Sequence, residues 1–208
     1  MIDLTQQSLL PIIGEWLTLE PLEDRLFDEV CSVMIPDPDG WYSVMFGLNT
    51  PSAYRKEFDD AKSFFAKGTG VGFALRDNKS QKIAGISFFL KLDSENRSLE
   101  IGTTNIAPRF RRTHVNTSAK YLMLKEAFEK RNCIRVSFRV DEENLISRRA
   151  IERLGAKCGG TLRYERILPD GRIRNYLFYS IIDREWPEVK KRLETFLRET
   201  NGTDSCAT

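Results

Sequence analysis

Three arginines, Arg109, Arg111 and Arg112, fall within the six residues Arg109-Phe110-Arg111-Arg112-Thr113-His114. Guanidinium groups offer forked donors that suit phosphate oxygens. The segment that follows reads as the start of a helix, because Thr113, Asn116 and Thr117 can all cap one. A helix N-terminus carries unpaired N–H groups and a partial positive charge, so it attracts anions. The spacing therefore points to an anion site. A solvated, exposed loop is the competing account of the arginines. Asn144 and Ser147 stand three residues apart, which places both near a second helix N-terminus, as caps or as ligand contacts. Glu100 lies inside the strand-like run Leu99 to Ile106. His114 is the one histidine of the chain, and its loop position gives it no chemical assignment.

These residues are positioned by a strand, a loop, a helix, a strand and a helix, running from Leu99 to Gly155. Pro108 closes the first strand, since it cannot continue a ladder. The second strand, Cys133 to Val140, should lie parallel beside the first, because a helix connects them. Upstream, Trp16 to Glu20 reads as a strand, and Glu23 to Ser32 as a helix with Leu22, Leu26, Phe27 and Val30 on one stripe. Ile35 to Asn49, with Trp41, Tyr42 and Phe46, reads as a long connection or broken helix. A helix over Pro51 to Lys67 precedes strands at Gly72 to Arg76 and Lys82 to Leu92. Downstream, strands at Gly159 to Leu168 and Asn175 to Ile182 flank a Pro169-Asp170-Gly171 turn, and a last helix starts near Glu185. The expected fold is α+β: about seven strands in a mixed, mostly antiparallel sheet, with helices on both faces and a central parallel pair that can splay. Residues 16–200 read as a single domain, 1–15 as an arm and 201–208 as a disordered tail.

The stretch resembles the GNAT N-acetyltransferases, and within them the branch of RimJ/RimL type. The resemblance rests on Glu100-Ile101-Gly102, Pro108, Ala127-Phe128-Glu129, Asn144-x-x-Ser147, Leu154-Gly155-Ala156 and Asp170-Gly171-Arg172, in that order and spacing, and covers roughly Leu17 to Trp186. It implies a GNAT-like fold whose splayed central pair holds the pantetheine arm of acetyl-CoA, and transfer of an acetyl group to a primary amine, on a protein N-terminus or a small molecule, by direct attack in a ternary complex. It implies cofactor contacts from Ile106, Arg111, Arg112, Thr113, Val115, Asn116, Thr117, Asn144 and Ser147. Glu100 is then the candidate general base, or else a structural strand carboxylate; Ser147 is the candidate proton donor to sulfur. Preorganised backbone N–H groups near Asn105 to Ala107 are candidates to stabilise the developing oxyanion. Ile35 to Asn49 is either the acceptor wall or a plug of the core edge. Tyr164 and Tyr176 either face the acceptor or pack. Arg148, Arg149 and Arg153 either touch a 3′-phosphate or are solvated. One departure stands out: the family's phosphate loop usually carries glycines where Arg112 and His114 stand here, and glycine permits close backbone approach. A loop that relies partly on arginine side chains would compensate. The alternative function is a non-catalytic acyl-CoA-binding module on the same fold.

Net charge is +2 over 208 residues, which argues against a general nucleic-acid or membrane partner. Cys31, Cys133, Cys158 and Cys206 are scattered, which fits reduced thiols and no metal site. No leader or membrane-length apolar run is visible, so a cytoplasmic protein is expected. The apolar arm leaves room for a homodimer.

Overall fold

The computed structural model describes residues 10–37, 39–168 and 170–202. In chain order they form β1 (Ile12–Ile13), β2 (Leu17–Pro21), α1 (Phe27–Met34), α2 (Trp41–Phe46), α3 (Pro51–Ala66), β3 (Val71–Asp77), β4 (Ile83–Asp93), β5 (Ser98–Ile106), α4 (Val115–Lys125), β6 (Arg135–Asp141), α5 (Leu145–Leu154), β7 (Lys157–Ile167), β8 (Ile173–Ile182) and α6 (Trp186–Gly202). One sheet of eight strands runs β1-β2-β3-β4-β5-β6-β8-β7. Every pairing is antiparallel except β5 with β6.

The eighth strand, beyond the expected count, is β1. It lies in the segment read as an arm, whose first nine residues fall outside the described ones. A tight turn, Gly14 N–H to the Leu17 carbonyl, folds β1 back on β2. Asn78 Nδ2 holds that turn by donating to the carbonyls of Gly14 and Glu15. The expected connection at Ile35 to Asn49 contains a short helix, α2, which ends at Gly47 in the left-handed region (φ +66°). Of the expected tail, Asn201 and Gly202 still belong to α6, and the rest lies outside the described residues.

Two helix layers cover the sheet. Thr104 and Asn105 are consecutive on β5: the first receives a hydrogen bond from Lys120 of α4, the second donates to Tyr54 of α3. Successive strand residues point to opposite faces, so α3 and α4 lie on opposite sides. α1 shares the α3 face through an edge-to-face Phe27–Phe58 contact. α5 and α6 join α4 through Arg153 to Thr117 and Tyr121 to Glu194. Fully buried Phe58, Phe73, Phe88, Phe89 and Phe138 fill the core between the layers. Among the described residues, no helix is long and apolar enough to cross a membrane.

Candidate active site

The parallel pair is short. Ser98, Leu99 and Glu100 pair with Arg135, Val136 and Ser137, and pairing stops there. Beyond that point β5 stays with β4 as far as Ile106, and β6 stays with β8 as far as Asp141. The two central strands therefore part into a fork. β5 carries one extra residue between Gly102 and Asn105, and Thr103 there has φ +45°. Such a bulge bends and twists its strand away from a neighbour. The β6 limb is fixed by a buried ion pair at its tip, Arg174 with Asp141 at 2.6 Å, extended to Glu143 at 2.5 Å.

At the far end of β5, Ala107 donates its N–H to the Ala84 carbonyl. In an antiparallel ladder, hydrogen-bonded and non-bonded positions alternate. Ile106, opposite Gly85, is then a non-bonded position, and its own N–H and C=O face away from β4, into the fork. Its carbonyl accepts from Arg111 Nε at 3.2 Å, as that direction requires. The Ile106 N–H is thus a fixed donor aimed into the opening. Ala107, which sequence reasoning grouped with it, has its N–H already engaged.

The loop leads from Ala107 into α4. Arg111 is committed: its guanidinium pairs with the buried Asp37 carboxylate. Arg112 is exposed and has φ +62°, so it adopts the left-handed backbone that a glycine would supply. Neither Arg112 nor Arg109 makes an ion pair among the described residues; Arg109 lies over the Phe110 ring. Thr113 Oγ1 donates to the Phe110 carbonyl and receives the Val115 N–H at 3.3 Å. The first bond of the helix runs from Ser118 N–H to the His114 carbonyl. The N–H groups of Asn116 and Thr117 consequently have no acceptor within the helix. Thr117 Oγ1 accepts from Arg153 at 3.0 Å. That places Arg153 against the same helix start. His114 points away from the loop mouth, with Nε2 3.1 Å from Asp77 Oδ1 and Nδ1 3.2 Å from Ser118 Oγ.

On the other limb, Asn144 caps α5: its Oδ1 accepts the Ser147 N–H at 3.0 Å. Ser147 is half-buried, and its hydroxyl makes no hydrogen bond among the described residues. Glu100 is buried at the last paired position, with Lys91 Nζ at 2.9 Å and Arg139 Nε at 3.8 Å.

The α3 face of the fork gathers groups that sequence reasoning had placed in the core or left aside. The Tyr54 hydroxyl accepts from Asn105 Nδ2 at 3.2 Å. Glu57, one turn further along α3, makes no ion pair or hydrogen bond among the described residues. Burial pushes its carboxyl up. Its charge, with burial, pushes up the phenols of Tyr42 and Tyr54, and Tyr42 also feels Tyr176 and Arg166. Arg166 stacks on Phe46 of α2, and Arg139 lies over Tyr176. Of the two tyrosines singled out from sequence, Tyr176 joins this cluster, whereas Tyr164 is exposed on the edge strand β7. The (i, i+3) pair Tyr54 and Glu57 was visible in the sequence but is indistinguishable there from an ordinary amphipathic stripe. On the α4 face, Lys120 is buried among Ala119, Met123 and Leu124. Its signal was a lysine on the buried stripe of the helix.

The arrangement combines a helix start with unpaired N–H groups, a slot between parted strands, an N–H aimed into the slot and a cluster of tyrosines with a carboxylate on the opposite face. It suits transfer of an acyl group from a phosphate-bearing donor to a nucleophile that enters from the far side. Among the described residues, no cluster of histidine, cysteine and acidic side chains could hold a metal ion.

Residues 17–157 match the family model of the acetyltransferase (GNAT) domain. Among solved structures, the chain is similar to a GCN5-related N-acetyltransferase from Brucella melitensis, at 26% identity and a TM-score of 0.82, over 91% of this chain and 86% of that one. It is also similar to a probable GNAT-family acetyltransferase from Chromobacterium violaceum, at 26% identity and a TM-score of 0.77, over 86% and 89%. Mycobacterium smegmatis RimJ, solved in complex with CoA-disulfide, shares the fold at 18% identity and a TM-score of 0.72, over 86% and 88%. No curated protein matches the chain.

Proposed function

Because the chain belongs to the GNAT acetyltransferase family and is an N-acetyltransferase, we propose that it moves an acetyl group from acetyl-CoA to a primary amine, on a protein N-terminus or a small molecule, by direct attack in a ternary complex. The observation that carries this is the fork, with the Ile106 N–H aimed into it and the start of α4 at its mouth. A substrate of this kind supplies an activated thioester and a pyrophosphate. The N–H groups of Asn116 and Thr117 and the Arg112 side chain are placed to meet the pyrophosphate. Thr113 shapes that turn, and Val115 contributes a more weakly engaged N–H. Arg111 acts indirectly, by tying the loop to Asp37. Asn144 and Ser147 line the β6 limb, where they would hold the pantetheine arm. Arg112 supports binding despite the missing glycine, because its backbone keeps the glycine-like conformation.

The Ile106 N–H is the donor for the oxyanion that forms at the thioester carbon. Preorganised donors of this kind typically contribute most to such transfers. The acceptor amine enters from the α3 face. There, in what would be the acceptor chamber, Glu57, half-buried and unpaired with its carboxyl pushed up by burial, is better suited to take a proton than Glu100, whose oxygens are engaged by Lys91 and Arg139. An amine of pKa about 8 needs only modest assistance at neutral pH. A non-catalytic acyl-CoA-binding module would share the binding features, and thiol release separates the two.

Thermal unfolding with saturating acetyl-CoA, beside thiol release across a panel of amines and N-terminal peptides, tests the proposal. Ligand at a hundredfold excess over its dissociation constant contributes about 2.7 kcal/mol, which for a domain of this size raises the midpoint by roughly 5–10 °C. A rise accompanied by thiol release on one amine class is the expected result. An unchanged midpoint overturns the acetyl-CoA assignment.

A further inference from the structure

Lys120 is 5% exposed. Its Nζ lies 2.6 Å from Thr104 Oγ1 and 5.9 Å from the centre of the Phe138 ring. Thr104 Oγ1 is itself 2.7 Å from Ser87 Oγ. Thr104 stands on β5 past the last residue paired with β6, and Phe138 is the first residue of β6 past that point. The amine therefore spans the base of the fork from the α4 side. An ammonium has three donors, and one protein acceptor is engaged. No carboxylate, histidine or second cation from β4, β5, β6 or α4 influences it; burial alone pulls it down to about 7. A buried amine without a counter-charge is costly. An apolar side chain of similar length would fill the site more cheaply, so the cost calls for a use.

Resting on the acetyl-CoA reading above, we infer that Lys120 is a catalytic residue, the general acid that protonates the departing CoA sulfur at the fork. The neutral acceptor nitrogen attacks the thioester carbonyl carbon. The C–S bond breaks with its electron pair on sulfur, and a proton passes from Lys120 Nζ to that sulfur. The new amide nitrogen releases its surplus proton to solvent or to the chamber carboxylate, and Lys120 recovers one from water. Proton count and charge balance without any further reactant. Thr104 holds the amine towards the fork and is a positioning residue. A group with a pKa near the working pH is the efficient choice for such a transfer.

The test requires no knowledge of the acceptor. CoA bound to the protein is titrated by the ultraviolet absorbance of its thiolate. A cation facing the sulfur lowers the thiol pKa below that of free CoA. In the wild-type protein the bound thiol is expected to titrate about one unit or more below free CoA. Lys120→Met is expected to fold, with a melting midpoint at or above the wild type, and to return the bound thiol to the free value or higher. Thr104→Val should give an intermediate shift, and Lys120→Arg, which keeps the charge, should retain the lowering. The same thiol pKa in wild type and Lys120→Met overturns the inference even where both bind CoA tightly. Failure of the wild type to bind CoA overturns the acetyl-CoA reading, and this one with it.

Discussion

Arg111 donates to the Ile106 carbonyl and pairs with buried Asp37, whereas Arg112, next in the chain, stands exposed on a left-handed backbone at the mouth of the fork. The two should respond differently to removal. Arg112→Ala should weaken acetyl-CoA about tenfold, the worth of one charge-assisted hydrogen bond, and leave the melting midpoint unchanged. Arg111→Ala should lower the midpoint, because it strands a buried carboxylate at a cost of about 1–3 kcal/mol. Calorimetric titration and thermal melts measure both; equal affinity in Arg112→Ala would remove that side chain from the phosphate. Lys120 makes a second case at this scale. Burial lowers its pKa from 10.5 to about 7. Below about pH 7 both folded and unfolded chains carry its proton, and the folded state bears the full cost of a buried charge. Between about 7 and 10.5 only the unfolded chain holds that proton, so stability attributable to this residue rises with pH. Lys120→Met should therefore stabilise the fold, by about 1–4 kcal/mol at pH 6, with the gain vanishing by pH 10.5; urea melts at both ends of the range measure it. The sequence offered three arginines as a cluster, and their division of labour was not visible because Asp37 lies 74 residues upstream of Arg111.

The fork exists because two strands that begin as neighbours are pulled apart by their other partners. The bulge at Thr103 turns β5 with β4, and the Arg174–Asp141 pair fastens β6 to β8. Both members of that pair are almost fully buried. Arg174→Met should cost about 3–5 kcal/mol, because it leaves the Asp141 carboxyl in the interior without its ion-pair partner. For a domain of this size the midpoint should fall by about 10 °C. Adding Asp141→Leu should recover much of that loss, since an apolar pair often replaces a buried ion pair without penalty. A double substitution no more stable than Arg174→Met alone would show that Asp141 has a second task, such as shaping the Asn144 cap through the Glu143 N–H it accepts. At this scale the sequence was largely legible: the parallel pair, the helix between them and the hairpin turn at Asp170 follow from apolar runs and turn residues. Three features were not. β1 is two residues long, too short to show an alternation. α2 is six residues lying between prolines and glycines. The place of β8 between β6 and β7 is a matter of tertiary pairing.

Across the whole molecule, the proposed reaction draws on both faces of the sheet. The α4 and α5 starts, Arg112 and Lys120 lie on one side, and Tyr42, Tyr54, Glu57 and Tyr176 on the other, with the fork between them. The sequence pointed to the donor side proposed here, since arginines beside a helix start carry their own signal. It left the acceptor side unresolved, because tyrosines at helical spacing look the same whether they line a chamber or fill a core. This division has a kinetic consequence. On the proposed function, a donor and an acceptor held on opposite faces react directly, and the cysteines among the described residues are poor relays for the acyl group. Cys31 and Cys133 are buried, and burial pushes both thiols up, Cys133 to about 11; Cys158 lies exposed on the edge strand. An acetyl group on the Lys120 amine would be an amide, too stable to pass on. Incubation with acetyl-CoA alone should therefore leave the mass of the intact chain unchanged, and initial rates with both substrates varied should give intersecting double-reciprocal lines. A chain that gains one acetyl group and then yields it to added amine, with parallel lines, would place a nucleophile in the fork and exclude direct attack.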